Sequence, residues 1–295
     1  GFTRSRLLMP LVFAAALGGN LSLIGAPGNL IAQSALQNIG SGFGFFEYAK
    51  VGLPMLVCGI LYFLTIGYKF LPNNSNSSEV GSIGEQRDYS HVPRWKQILS
   101  LVVLIATILG MIFEKQTGIS LTVAGCIGAL VLVITGVLTE KQAYKAIDSQ
   151  TIFIFGGTLA LAKALEMTGA GKLVADQVIG LLGNNSSPFM LLVVVFALSV
   201  VMTNFMSNTA TVALLVPVSL SIAAGMGADP RAVLMATVIG SSCAYATPIG
   251  MPANMMVLSA GGYKFVDYAK SGIPLIIVST IVSLILLPIL FPFHP

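Results

Sequence analysis

Long stretches of this chain carry no charge, and that absence limits the fold more than any other feature. No Asp, Glu, Lys or Arg occurs at residues 7–46, 51–68, 97–113, 116–139, 149–162, 177–228, 232–263 or 271–293. A helix crossing the hydrocarbon core of a bilayer takes about 20 apolar residues. Most of these stretches fit one such helix. Residues 7–36, 177–228 and 232–260 are too long for one, and each has Gly, Pro, Asn or Ser in its middle. Of 295 residues, 55% are hydrophobic and 9% charged, too few charges to cover a soluble domain. The sequence therefore predicts an all-α polytopic membrane protein. The net charge of +4 comes from basic residues in loops, with no basic stripe among aromatics, so nucleic acid is not an expected partner. Cys58, Cys126 and Cys243 lie far apart in apolar runs, without metal-ligand spacing, and are read as small buried hydrophobes. His91 and His294 lie outside the expected spans and form no cluster.

Single spans are expected at 51–70, 98–113, 119–138, 151–167 and 272–292. Residues 71–97, rich in Asn and Ser, read as a linker. Thr139-Glu-Lys-Gln142 has the form of a capping box opening a short surface helix. Asp229-Pro230 reads as a helix cap followed by a first-turn proline. Alternating the crossings puts Arg4, Arg6, Lys69, Arg87, Arg94, Lys96, Lys141, Lys145, Lys264 and Lys270 on one side. Lys50, Lys115, Lys163, Lys172 and Arg231 fall on the other. The positive-inside rule makes the richer side cytoplasmic, with the linker there and the C-terminus outside a plasma (inner) membrane.

Two segments resemble each other. Arg6, Ile24-Gly-Ala-Pro-Gly-Asn29, Phe45-Phe-Glu-Tyr-Ala-Lys50 and Gly52-Leu-Pro54 form the first. Arg231, Ile249-Gly-Met-Pro-Ala-Asn254, Phe265-Val-Asp-Tyr-Ala-Lys270 and Gly272-Ile-Pro274 form the second. The polar positions match as well as the apolar ones. Four expected crossings separate the copies, so they are expected to run antiparallel. Inverted repeats with helices interrupted in matching places mark alternating-access transporters. Residues 1–70 read as the end of the first repeat and 98–295 as the second, with broken helices at 7–36 and 231–260. The second broken helix follows a hairpin-like stretch at 189–224. The first begins at its counterpart of Arg231, so its hairpin is expected upstream of Gly1. The opening without an initiator methionine is read the same way.

In the hairpin, two apolar arms flank Thr203-Asn-Phe-Met-Ser-Asn-Thr209. Arms shorter than a full span place this polar tip deep in the bilayer as a re-entrant hairpin, where irregular backbone is tolerated only against a cavity. Carbonyls ending the first arm suit a cation. Amides opening the second arm, with Ser207, Asn208 and Thr209, suit an anion. Pro248, Gly250 and Pro252 prevent a continuous second helix. The first broken helix offers residues 18–29 in the same role. No expected span carries an Asp, Glu or His in its middle; Lys163 and Glu166 sit near a helix end. A proton-coupled carrier usually needs an intramembrane titratable group, so a hard cation held by oxygens, Na+, is expected. No nucleophile–base pair or metal-ligand set lies within the spans, so an enzyme is not expected.

These residues resemble the divalent anion:sodium symporter family. Ser207-Asn-Thr209 matches its substrate motif, and residues 241–257 resemble the sodium:sulfate symporter signature, with Tyr245 where Phe is usual. Ser5-Arg-Leu-Leu-Met-Pro10 and Leu17-Gly-Gly19 look like the run after that family's first hairpin. The resemblance implies sodium at Thr203, Met206, Asn208 and Gly250, and a second sodium at Gly25 and its neighbours. It implies substrate contacts at Ser207, Asn208, Thr209, Met251 and Pro252. It also implies a homodimer, an elevator movement, no cofactor, and a C4-dicarboxylate, citrate or sulfate as the dianion. A sodium-independent exchanger or an arsenite-type carrier of the same superfamily is the alternative. The family commonly has Gly-Thr-Pro-Pro-Asn in both broken helices. Here Ala26 and Met251 replace the threonines, which leaves the substrate open.

Overall fold

A computed structural model describes residues 4–72, 92–147 and 187–293, with scattered positions between 152 and 177. The expected span at 151–167, with Lys163 and Glu166, is largely outside the described residues, as are most of the linker, His91 and His294. Every regular element among the described residues is helical. The helices are α1 (Arg4–Gly18), α2 (Pro27–Gln37), α3 (Ala49–Thr65), α4 (Arg94–Ile112), α5 (Glu114–Thr117) and α6 (Leu121–Ile134). They continue with α7 (Glu140–Ala146), α8 (Pro188–Thr203), α9 (Asn208–Met226), α10 (Pro230–Ser241), α11 (Pro252–Ala260) and α12 (Phe265–Leu290).

The starts of these helices follow from local chemistry. Ser120, Thr139, Ser187, Ser207 and Asp229 each cap a helix by accepting a backbone N–H of the first turn. The Thr139–Gln142 capping box forms as expected. Pro27, Pro188, Pro230 and Pro252 occupy first turns, where no N–H is missed. Both expected broken helices are broken: α1 and α2 are separated by irregular chain and a single 3-10 turn, and α10 and α11 by residues 242–251. The hairpin of α8 and α9 also forms. Its arms, of 16 and 19 residues, are about 24 and 28 Å long, longer than the sequence suggested. By length and composition α4, α9 and α12 suffice to cross a membrane.

The chain divides into two compact units, one of Gly1–Gly81 with Thr151–Pro295, the other of Ser82–Gln150. In the smaller unit α4 packs on α6, where Gly128 lies against the Thr107 hydroxyl. In the larger unit α8 and α9 both pack on α10, α9 and α10 reach α2, α1 reaches α11, and α3 packs on α12.

The α3–α12 pair shows how a helix is sorted in an apolar solvent. The buried stripe of α12 is Ser271, Leu275, Ser279, Ser283 and Leu287. The exposed stripe is Ile273, Ile277, Ile281, Ile285 and Ile289. The serines face protein, together with Leu275 and Leu287, and the isoleucines face out, as suits a lipid-facing helix. On α3, Gly52, Met55, Gly59 and Tyr62 are buried while Leu53, Val57, Leu61 and Leu64 are exposed. Tyr62 donates its hydroxyl to the Ser271 carbonyl at 3.1 Å, and Ser283 donates to Met55 Sδ at 3.2 Å.

Two glycines repeat a close approach in the two copies. A Cβ on Gly52 would lie 2.0 Å from the Asn20 carbonyl oxygen, and one on Gly272 2.1 Å from that of Tyr245. Each lets the helix that follows the broken one, α3 or α12, pass against the break.

The copies differ where they are tied together. Arg231, at the first turn of α10, pairs with Glu47 of the first copy, and its guanidinium lies 5.8 Å from the ring centres of Phe43 and Phe291. Burial pushes the Glu47 carboxyl up, but the Gly44 amide and Arg231 together hold it below its ordinary value of 4.5. The counterpart of Glu47, Asp267, accepts the Lys264 amide at 2.8 Å just as Glu47 accepts that of Gly44 at 2.8 Å, so the difference lies in the tie to the other copy. There Tyr263 makes the tie, its hydroxyl donating to the Ser5 carbonyl and accepting from the Met9 amide.

Two outcomes follow for the purified full-length protein. Gly272→Ala lowers the unfolding temperature, because the obstructing atom is backbone. Gly110→Ala, whose methyl meets only Ala124 Cβ at 3.6 Å, leaves it unchanged or higher. Because the Glu47 value is lowered on folding, its stabilisation is whole above pH 4.5 and fades as pH falls through the folded value. Glu47→Gln therefore unfolds earlier than wild type at neutral pH, and thermal scans of the two converge in acid.

Candidate functional site

The tip of the hairpin is held to the second break by a set of side chain–backbone bonds. Thr203, ending α8, is fully buried and donates its hydroxyl to the Ser241 carbonyl. Asn204 donates to the carbonyls of Val200 at 2.8 Å and Cys243 at 3.2 Å, and accepts from the Ala246 amide at 2.9 Å. Its own carbonyl accepts from the Thr247 hydroxyl. Two backbone groups of the break, the Cys243 carbonyl and the Ala246 amide, are thus met by the hairpin, as buried polar groups in an apolar medium require. Farther along, Ser219 of α9 and Thr237 of α10 share a hydrogen bond of 2.8 Å.

At the tip, Ser207 accepts the Ala210 amide at 3.2 Å, which leaves its hydroxyl hydrogen to donate elsewhere. Asn208 Oδ1 accepts from Ser241 Oγ at 2.9 Å. Ser207, Asn208 and Thr209 are all half-buried, the first capping α9 and the other two opening it, where the helix dipole places positive potential. Gly250 is buried, and a Cβ on it would lie 2.4 Å from the Thr203 carbonyl oxygen.

Each break is braced by an asparagine at the third position of the following helix. Asn254 donates to the carbonyls of Ala244 at 2.8 Å and Thr247 at 3.0 Å. Asn29 donates to the carbonyls of Gly19 at 3.2 Å and Ser22 at 2.9 Å. The two sets are equivalent under the repeat. Tyr268 donates to the Asn254 carbonyl at 2.7 Å, and Tyr48 to that of Asn29 at 3.3 Å. Both asparagines are fully buried, and in both Oδ1 has no hydrogen-bond partner.

The structure brings most of the expected residues to one place. Thr203, Asn208 and Gly250 meet around Ser241 and the second break. Met206 is half-buried in the turn, its amide on the Met202 carbonyl at 3.0 Å. Met251 is the cap residue of α11, and the exposed Pro252 its first. Gly25 lies in the first break, its amide on the Ser22 carbonyl at 3.1 Å, and a Cβ on it would lie 2.2 Å from the Gly19 carbonyl oxygen. The first turn of α2, just beyond Gly25, abuts Asn208. Ser241, Asn204 and the brace role of Asn29 and Asn254 were not singled out by the sequence reading. The asparagines were visible as the last matched polar residue of each break, and Asn204 as part of the polar tip. Among the described residues no group of three His, Cys, Asp or Glu is placed to hold a metal.

Two helices broken alike, with a polar-tipped hairpin seated on their breaks and apolar outward-facing stripes, define an all-α polytopic membrane protein. Residues 1–240 and, overlapping them, 108–294 match the citrate transporter family (CitMHS), and the chain belongs to that family. An uncharacterized transporter of Methanocaldococcus jannaschii is 31% identical over 96% of this chain and 63% of its own length. Another from Haemophilus influenzae is 28% identical over 94% of this chain and 60% of its own. The sodium-dependent dicarboxylate transporter SdcS of Staphylococcus aureus is 25% identical over 97% of this chain and 58% of its own. The chain thus spans less than two thirds of the length of each. All three are named transporters, in agreement with the expectation that the chain is no enzyme, and of the three SdcS is the one named for sodium and a dicarboxylate.

Asn254→Leu leaves two carbonyls of the break without their donor. At about 1–3 kcal/mol for each unsatisfied group, it is expected to cost roughly 2–6 kcal/mol. Denaturant unfolding of the purified full-length variant measures this, with Tyr268→Phe expected to cost less.

Proposed function

We propose that the full-length protein carries a small divalent anion across the plasma membrane together with Na+. The observation that carries this reading is the seating of an uncharged polar tip, residues 207–209, against both broken helices. A dianion fits such a site through hydroxyls and helix-start amides, without lysine or arginine. Sodium fits through neutral oxygens: the Thr203 hydroxyl, the Asn208 amide oxygen and the carbonyls of Met206 and Gly250, with Gly25 serving a second ion. The buried, unpartnered Oδ1 atoms of Asn29 and Asn254 support a cation near each break, because such an oxygen is otherwise costly.

In this reading sodium binds first and orders the tip, and the dianion then binds at Ser207, Asn208, Thr209, Met251 and Pro252. The two copies run in opposite directions, the C-terminus lies outside, and the substrate-holding part moves as an elevator within a homodimer. One face of α1 supports a second hairpin. Leu7 and Leu11 are 57% and 63% exposed, whereas their counterparts Ala232 and Ala236 are fully buried beneath α8 and α9. The substrate class is a C4-dicarboxylate, citrate or sulfate. The dicarboxylate named for the Staphylococcus aureus relative makes labelled succinate the first probe.

Uptake into vesicles holding the full-length protein is expected to follow an inward sodium gradient. Asn208→Ala is expected to lower it at least about tenfold, the effect of roughly 1.4 kcal/mol. Undiminished uptake by that variant overturns the site, and uptake indifferent to sodium favours the exchanger.

A further inference from the structure

Gly28 is buried in the first turn of α2 and faces the hairpin of the other copy. A Cβ on it would lie 2.8 Å from Val212 Cγ2 and 3.3 Å from Asn208 Oδ1. Asn208 and Val212 are four residues apart on α9, so one face of that helix presents both to α2. Carbon atoms pack at roughly 3.5–4.0 Å, so a methyl group at position 28 has no room. Val212 offers little relief, since it is fully buried and its β-branched side chain has one favoured rotamer in a helix. Adding the methyl therefore moves α9 away from α2. The movement is felt at Asn208, which is also tied to Ser241 Oγ. The equivalent position in the second copy is Ala253, so this demand for bare backbone is not a general feature of the break.

We infer that Gly28 is a positioning residue that sets how closely the hairpin tip seats against the first broken helix, and hence where Asn208 stands between the two breaks. Its effect on transport rests on the function proposed above; its effect on packing does not.

The test uses the full-length protein with Gly28→Ala, Val212→Ala and the double variant. Half-saturating sodium for uptake of labelled succinate, citrate or sulfate, whichever the wild type carries, is expected to rise at least threefold in Gly28→Ala. The double variant returns to within about twofold of wild type, because loss of Cγ2 makes room for the new methyl. Val212→Ala alone stays within that range. Thermal unfolding is read in parallel. Gly28→Ala unfolds earlier than wild type although alanine is the better helix former, and the double variant unfolds later than Gly28→Ala. Unchanged half-saturating sodium in Gly28→Ala, or a change that Val212→Ala does not relieve, overturns the inference. If the wild type shows no sodium-driven uptake, the transport reading fails and the unfolding series alone decides. A Gly28→Ala protein as stable as wild type then overturns the inference.

Discussion

A helix interrupted inside an apolar medium leaves carbonyls and amides that water does not reach, and everything at this site depends on how those groups are met. Asn29 and Asn254 meet them in the same way, each giving both amide hydrogens to carbonyls within its break. A tyrosine from the next helix then holds each asparagine by its own carbonyl. Without these donors the breaks would be costly gaps. With them, the irregular chain at residues 242–251 becomes a fixed surface on which a hairpin tip is seated. The amide oxygens left over are uncharged, buried and without a hydrogen-bond partner.

Close approach is the second requirement. Gly52 and Gly272 let a helix pass across a neighbouring carbonyl, and Gly250 does the same for the carbonyl of Thr203. In water such packing would be driven by apolar burial. In lipid there is little to gain from hiding leucine, so contact falls to small groups and hydroxyls. The isoleucines of α12 accordingly point out and its serines point in. In the proposed reading, the same logic lets a dianion be held without a basic side chain. Helix starts and hydroxyls supply positive potential without the desolvation of a full charge.

The two copies share their braces but not their ties. An ion pair flanked by two aromatic rings joins Arg231 to Glu47, whereas a tyrosine hydroxyl joins Tyr263 to the first turns of α1. A repeat with unlike ends responds differently at its two ends, by charge and pH at one and by a neutral hydrogen bond at the other. The hairpin links the copies further, because its tip contacts the second break through Ser241 and the first through the bare backbone of Gly28. Asn208 thus lies between the two broken helices, against Gly28 of one and Ser241 of the other.

The helical class, the breaks at residues 19–26 and 242–251 and the polar tip were legible from charge-free length, from Pro and Gly in mid-stretch, and from the matched polar positions. These are local rules: proline removes an N–H, and a charge-free run of set length has few places to go. The arms of the hairpin came out longer than the sequence implied, because caps at Ser187, Ser207 and Gly227 lie beyond the strictly apolar run. What the sequence could not give was the partner of each polar group. That Asn204 stitches the tip to the second break, that Ser241 holds Asn208, and that Gly28 must lack a side chain are facts of approach between segments distant in the chain. Spacing and composition fix which helices form and where they break; only packing decides which backbone a side chain meets, because that depends on contact distances of a few ångströms between separate helices.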